Sequence, residues 1–559
     1  MSYFKRISLL FYLFIFLFSC REPQHKKEII RMDLAKQTGL MEQRVSENLK
    51  KLLDYAAEKQ GALNDSVRLS YLNLMDSLYE SKEYEPIWSK DQQWLPLGDS
   101  LFNFIANSKN YGLFPADYHY RPLSFIRRIF MADSLTRKNA LLWSRSDILL
   151  TDALFKLVKD IKQGRFKYDS VTLRTDTVLA YAVYKRVFDS VFLLKNLPAA
   201  FRSLEPEYKG YDSLKAYIPG FLSKADFKPY TYLVYPYIDS VSFFGVLEKR
   251  FHELGLLSQD TLSLDTTAFQ KLLRRYQRSI GMKPTGKLTD QLVDAMNNTD
   301  WEKFKRIAVN LDRYKLLPDS LPSTHIWVNL PSFLMEVQDG DSIVFQSRVI
   351  VGEPETRTPL LTSEISNFVT FPQWTVPYSI IFREILPKIQ ENVDYLDKQN
   401  LMVVDENDSV YDPHLINWNK MNRNHFPYIL KQKQGDDNSL GIIKFNFRNK
   451  YSVYLHDTNV RWKFGNSFRA LSHGCVRVKE WKKLANFLLR NDTVRHQTDS
   501  LTAWIKKQEK HVISGFPKVP IFIRYFTCEG KGGRIKFYED IYEEDRWLRE
   551  KYFFGKTVD

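Results

Sequence analysis

Near residue 324 the hydrophobic pattern changes its period, and this limits the chain to a fold of unlike parts. Upstream, apolar residues recur three and four positions apart. In DILLTDALFKLVKDIKQGRF, the residues Ile148, Thr151, Leu154, Phe155, Val158 and Ile161 share one helical face, and Gly164 supplies a stop. Downstream, THIWVNLPSFLMEVQDGDSIVFQSRVIVG holds runs rich in Val, Ile and Phe on either side of Asp339-Gly340, the pattern of a β-hairpin. LGIIKFNFRNKYSVYLHD then alternates Ile443, Phe445 and Phe447, followed by Val453 and Leu455, with Asn449-Lys450 where a turn belongs. Helix-period and strand-period segments of this length build separate layers, so the expected fold class is multidomain α+β.

Length and composition fit that expectation. The 559 residues are 44% hydrophobic and 14% aromatic, enough for several cores and about three domains. Residues 21–64 are polar and charged, and read as a tether that becomes helical. Residues 65–240 read as a helical domain. Residues 241–300 form a compact three-helix unit. In it Leu247, Phe251 and Leu254 share a face closed by Gly255, and Asp265 caps a helix that turns Phe269, Leu272, Leu273, Tyr276 and Ile280 inward. Gly281 stops that helix, Gly286 turns the chain, and Thr289 caps a third helix. Residues 324–515 read as a mostly-β domain, and residues 516–559 as C-terminal strands and a tail. Residues 378–435 interrupt the β domain with Pro, Asn, Lys and aromatics, and an insert of that length is more often functional than idle.

The chain opens MSYFKRISLLFYLFIFLFSC. Lys5 and Arg6 precede an apolar run, Ile7 to Phe18, that is short against the roughly 20 residues of a membrane-spanning helix, so residues 1–20 read as a signal peptide. The ending Leu17-Phe18-Ser19-Cys20 resembles a bacterial lipobox, with Phe18 bulkier than usual there. The resemblance implies cleavage before Cys20 and lipidation of that cysteine, and hence an exported, periplasmic lipoprotein anchored to a membrane. An ordinary signal peptide or an uncleaved anchor are the alternatives. The net charge of +15 suits anionic polymers or lipids, but Lys and Arg are dispersed and no RRM, zinc-finger or homeodomain pattern is present, which argues against nucleic acid.

Three cysteines occur in the whole chain. With Cys20 assigned to the lipid, Cys475 and Cys528 remain, too few and too distant for a disulfide-built fold. Cys528 ends an apolar run and reads as a buried small hydrophobe. Cys475 follows Ser472-His473-Gly474, and His456 ends the strand YSVYLHD, where Tyr454 and His456 share the face opposite Val453 and Leu455. A loop between His456 and Cys475 can bring the imidazole to the thiol. A thiol with an ordinary pKa of about 8.5 is mostly protonated at neutral pH, and a neighbouring histidine that takes the proton makes it an acyl-transfer nucleophile. Gly474 allows a close backbone approach, and the amides around Gly474 and Cys475 can face an oxyanion. Ser472 and His473 shape the loop. Zinc held by His456, His473 and Cys475 is a second reading, weakened by the tight His473-x-Cys475 spacing and the missing fourth ligand, and a purely structural role is a third.

The segment H-D-T … R-A-L-S-H-G-C-V-R-V closely resembles the signature of the L,D-transpeptidase (YkuD-type) catalytic domain. Val349-Ile350-Val351-Gly352, Arg357-Thr358-Pro359, FPQWTVPYSI and NSLGIIKFNF extend the resemblance to the large, YcbB-like branch, as do the helical YEPIW, YGLFPADYH and LLTDAL and the terminal IRYFT and DIY. Residues 241–300 resemble a three-helix peptidoglycan-binding domain through Gly255-Leu256, Phe269, Tyr276-Gln277, Gly281, Gly286, Thr289 and Leu292, with a plain spacer as the alternative.

The resemblance implies Cys475 as the acylated nucleophile, His456 as its general base, and the Gly474 and Cys475 amides as an oxyanion hole. It implies 3→3 cross-linking of peptidoglycan stem peptides: Cys475 attacks residue three of a tetrapeptide donor, expels D-Ala, and passes the acyl group to an acceptor amine. Inhibition by carbapenem-type β-lactams follows from acylation of the same thiol, and no metal or organic cofactor is implied. Residues 378–435 match the position of the family's substrate-capping subdomain. Tyr454 and Arg477 are candidate substrate-binding residues, with carboxylate binding and loop support equally open for Arg477. Water or a protein amine as acceptor would give a carboxypeptidase or an anchoring enzyme, and a non-catalytic wall-binding lipoprotein is a further alternative. Papain-like and NlpC/P60 hydrolases place the nucleophile before the histidine, the reverse of His456 and Cys475.

Overall fold

The computed structural model describes residues 40–64, 67–166, 178–258, 265–318, 320–491, 498–553 and 556. Cys20 and the leader lie outside the described residues. Residues 21–39 of the expected tether lie outside the described residues; its helical part is α1 (Met41–Glu58), which packs into the helical domain rather than standing apart from it. Met41, Val45, Leu49, Leu53 and Ala56 form a row with steps of four and three residues, and all are buried in the helical domain's core. The row packs against α2 (Ala140–Gln163), the long helix expected from Ile148 to Ile161. Rather than one apolar face, α2 buries nearly its whole circumference. Its buried polar groups are satisfied: Asp147 accepts from the amides of Ile87 and Trp88 and from the Tyr79 hydroxyl.

The three-helix unit comprises α3 (Ser240–Glu253), α4 (Thr266–Ser279) and α5 (Asp290–Asn297), with Asp265 and Thr289 capping as expected. Gln277 ties the Gly286 turn, its Oε1 accepting the Gly286 amide at 2.8 Å. Ile280 departs from expectation. It lies one residue past α4 and is 39% exposed. Helix α6 (Asp300–Tyr314) then leads to the β domain.

Nine strands form the β domain's main sheet: β1 (His325–Asn329), β2 (Leu334–Asp339), β3 (Ser342–Gly352), β4 (Leu361–Thr370), β5 (Ile443–Phe447), β6 (Leu455–His456), β7 (Ala470–Ser472), β8 (Val476–Val478) and β9 (Val512–Arg524). Their order is β7-β3-β8-β6-β5-β4-β9-β1-β2, and β2 also pairs with β3, so the sheet closes on itself. The β1–β2 and β2–β3 pairs are antiparallel, with the Asp339-Gly340 hairpin where the sequence put it. β9 pairs with both β4 and β1, so a domain boundary at residue 515 would cut a strand, and the main sheet continues to Arg524. Cys528 lies beyond it, fully buried against helical-domain residues such as Tyr211 and Leu214.

The insertion between β4 and β5 is a small domain with its own core, including Ile381, Ile389, Leu396, Trp418 and Leu430. It is wider than residues 378–435, because Trp374–Thr375 pairs with Ile429–Gln432 in its four-stranded sheet. C-terminal to the main sheet, α7 (Glu544–Phe553) clasps α6 through the Arg313–Asp545 ion pair. Among the described residues no helix is long and apolar enough to cross a membrane.

Candidate active site

The site is written on one face of two neighbouring strands. β6 and β8 run parallel, with Leu455 opposite Val476 and His456 opposite Arg477. Leu455 and Val476 are fully buried in the core. Strand alternation therefore sends Tyr454, His456, Cys475 and Arg477 to the other face. There they line a cavity of about 240 Å³, which the inserted domain roofs with Pro377, Ile380, Ile385, Tyr395 and Leu401. His456 and Cys475 thus line the same cavity, brought to one face by strand pairing as well as by the loop between them.

His456 is buried, and its Nδ1 has no hydrogen-bond partner among the described residues. Burial, then the Arg477 guanidinium and the Lys444 ammonium, lower the imidazole pKa to about 3, so the ring is neutral and able to accept a proton. Lys444 stands opposite His456 on β5, with Nζ 4.0 Å from the centre of the Tyr454 ring. The Tyr454 ring in turn meets His456 edge-on at 5.5 Å. The Cys475 thiol is pushed up by burial, against the opposing pull of Tyr454, Lys444 and Arg477. Its hydrogen bond goes to the Ser452 carbonyl at 4.0 Å. At rest the thiol and the imidazole that line this cavity are therefore both neutral.

The loop that carries Cys475 is held by short bonds. Ser472 Oγ donates to the Cys475 carbonyl at 2.6 Å and accepts the Gly474 amide at 3.3 Å. With the Gly474 amide so occupied, the Cys475 amide is the one left without a partner among the described residues. Gly474 has φ +114°, a conformation that L side chains rarely adopt. Behind the loop, Glu353 N and Thr356 Oγ1 both donate to the Ser472 carbonyl, at 2.8 and 3.0 Å. Asp457, fully buried, accepts from Ile442 N and from Arg461, which fixes the strand end that bears His456.

His473 lines the same cavity, and its Nε2 lies 2.7 Å from Glu384 Oε1 in the inserted domain. Glu384 sits in a π-helical turn, Ile381–Ile385. Burial raises its pKa, but bonds from Arg383 and His473 outweigh that and hold it below the usual range. A second cavity of about 650 Å³, lined by Arg383, Arg423, Phe382 and Thr356 among others, opens on the other side of His473. Arg477 is half-buried, forms no ion pair among the described residues, and leaves Nε without a hydrogen bond. Lys444 and Glu384 escaped the sequence reading. For Lys444 a signal was present, since it alternates with Ile443 and Phe445 and so must share the face of His456.

Two parts of the chain match known protein families. Residues 323–495 match the L,D-transpeptidase catalytic domain of the YkuD family, and residues 73–218 match the Scaffold domain. A Haemophilus influenzae protein named "Putative L,D-transpeptidase" is 36% identical over 253 residues, 44% of this chain and 49% of that protein. The chain thus spans about half the length of that curated relative. Two solved structures, the carbamoyl enzyme of Ldtfm with avibactam and a mutant Enterococcus faecium L,D-transpeptidase, are each 12% identical over 48% of this chain, covering 83% and 86% of theirs at a TM-score of 0.18.

Proposed function

We propose that this chain, which carries an L,D-transpeptidase catalytic domain together with a scaffold domain, forms 3→3 cross-links between peptidoglycan stem peptides by cysteine acyl transfer. The observation that carries the reading is the shared strand face of neutral His456 and Cys475 beneath the inserted domain. In the first step Cys475 Sγ attacks the carbonyl of residue three in a tetrapeptide donor, and His456 takes the thiol proton. The Cys475 amide donates to the oxyanion. The tetrahedral adduct collapses, the carbon–nitrogen bond breaks, and His456 returns the proton to the departing D-Ala amine. In the second step an acceptor amine attacks the thioester, loses its proton to His456, and releases the Cys475 thiol, which is reprotonated.

Export through residues 1–20 and lipidation at Cys20 would hold the enzyme at the membrane on the wall side. The three-helix unit would hold glycan-borne substrate near the site. Muropeptide analysis after incubation with tetrapeptide-rich sacculi tests the acceptor: 3→3 dimers are expected, whereas tripeptides alone would mean water is the acceptor, and a wall-linked protein would mean anchoring. Mass measurement with a carbapenem tests the nucleophile. An adduct on the wild-type chain and none on Cys475→Ala is expected. An adduct on both would sink the mechanism.

A further inference from the structure

Building on the acyl-transfer reading, we propose that Thr358 is a positioning residue that aims the Cys475 amide at the developing oxyanion. Thr358 is 2% exposed and lies behind the catalytic loop. Its hydroxyl accepts the Gly352 amide at 2.8 Å and lies 2.8 Å from the Gly474 carbonyl. The Gly352 amide can only donate and the carbonyl can only accept, so the single hydroxyl hydrogen goes to Gly474 O. Thr358 is itself fixed: its amide donates to the Tyr542 hydroxyl at 3.1 Å, and that hydroxyl donates to the Gly352 carbonyl at 2.7 Å.

The Gly474–Cys475 peptide is trans, the chain's one cis bond among the described residues being Tyr235-Pro236. In a trans peptide the carbonyl of one residue and the N–H of the next point in opposite directions. A carbonyl tied to Thr358 therefore turns the Cys475 N–H the other way, and that N–H makes no hydrogen bond among the described residues. Glycine's conformational freedom makes the alternative cheap, because without the tie the Gly474–Cys475 peptide can flip and take its N–H out of position. The Gly474 amide cannot substitute while Ser472 Oγ occupies it.

The test compares two reactions of one thiol in the full chain. Acylation by a carbapenem passes through an oxyanion, whereas alkylation by iodoacetamide displaces iodide and forms none. Thr358→Val is expected to slow acylation by roughly 100-fold or more, the effect of removing one oxyanion donor, and to leave alkylation within about twofold of wild type. Thr358→Ser, which keeps the hydroxyl, is expected to restore acylation to within about threefold. Thr358→Ala gives the same split if the valine variant does not fold. Acylation at the wild-type rate in the valine or alanine variant, or a parallel fall in both reactions, overturns the proposal. A wild-type chain that alkylates but forms no carbapenem adduct overturns the acyl-transfer reading itself, and this proposal with it.

Discussion

His456 and Arg477 stand opposite each other across the parallel pairing of β6 and β8, and Lys444 flanks the same imidazole from β5. A histidine between two cations on a buried face resists protonation. The imidazole is therefore neutral well below neutral pH, the form that the proposed base role requires. Because the imidazole gains its proton only near pH 3, wild-type acylation should not fall between neutrality and about pH 4. Removing a cation stabilises the imidazolium and raises its pKa. Arg477→Met should move the acid limb of the acylation rate upward by about one pH unit or more, read from a pH–rate profile. A limb that stays put would show that Arg477 does not set the base.

The Ser472 hydroxyl makes both its bonds within the loop that carries Cys475, and the residue is buried. Ser472→Ala leaves the Cys475 carbonyl and the Gly474 amide short of a partner, at a cost of about 1–3 kcal/mol in folding stability. Urea denaturation measures that loss, and the acylation rate should fall with it. Ser472→Thr keeps the hydroxyl and should recover most of both. Wild-type behaviour of the alanine variant would remove Ser472 from the loop's support.

The His473–Glu384 pair joins the catalytic loop to the inserted domain, with side chains 33% and 35% exposed. At that exposure solvent screens the pair, so a double-mutant cycle with His473→Asn and Glu384→Gln should return a coupling below about 1 kcal/mol in stability. The larger effect is expected on substrate capture, as a raised KM for a stem-peptide donor with kcat little changed. A fall in kcat alone would mean the pair acts on chemistry rather than on the roof of the cavity.

Helix α1 is predicted to be an integral part of the helical domain. Leu49 is fully buried in its row, and Leu49→Ala should cost about 2–4 kcal/mol, measured by chemical denaturation. A cost below about 0.5 kcal/mol, as for a surface position, would return residues 41–58 to the status of a tether.

Strand alternation made half the site legible in the sequence. Once Val453 and Leu455 faced the core, Tyr454 and His456 had to face away, and they do. The partner strand was not legible. That Cys475 and Arg477 extend the same face depends on the parallel register of β8, set by contacts distant in sequence. His473 and Glu384 are 89 residues apart, and no local pattern announces their meeting. The boundary read after residue 515 falls inside β9; the chain passes Gly515-Phe516-Pro517 as a bulge between Ser514 and Val519 and continues the same strand, and that pairing with β4 is set by contacts distant in sequence. The α1 row was missed because polar and charged residues such as Glu42, Arg44, Glu47, Lys50, Lys51 and Asp54 interleave with its five buried ones.

The inserted domain leaves and rejoins the sheet at a single point. Thr370 on β4 is paired with Ile443 on β5, and the Phe371 amide donates to the Ile442 carbonyl at 2.7 Å. To the sheet, the whole excursion is equivalent to one tight turn. It is a cassette: it can lengthen, shrink or be exchanged for another roof without altering the register of the strands that hold His456 and Cys475. If the proposed function holds, the roof over the cavity and the strands that carry His456 and Cys475 are separable modules, and exchanging the roof alone is the direct way to change which peptide enters while leaving the thiol and imidazole in place.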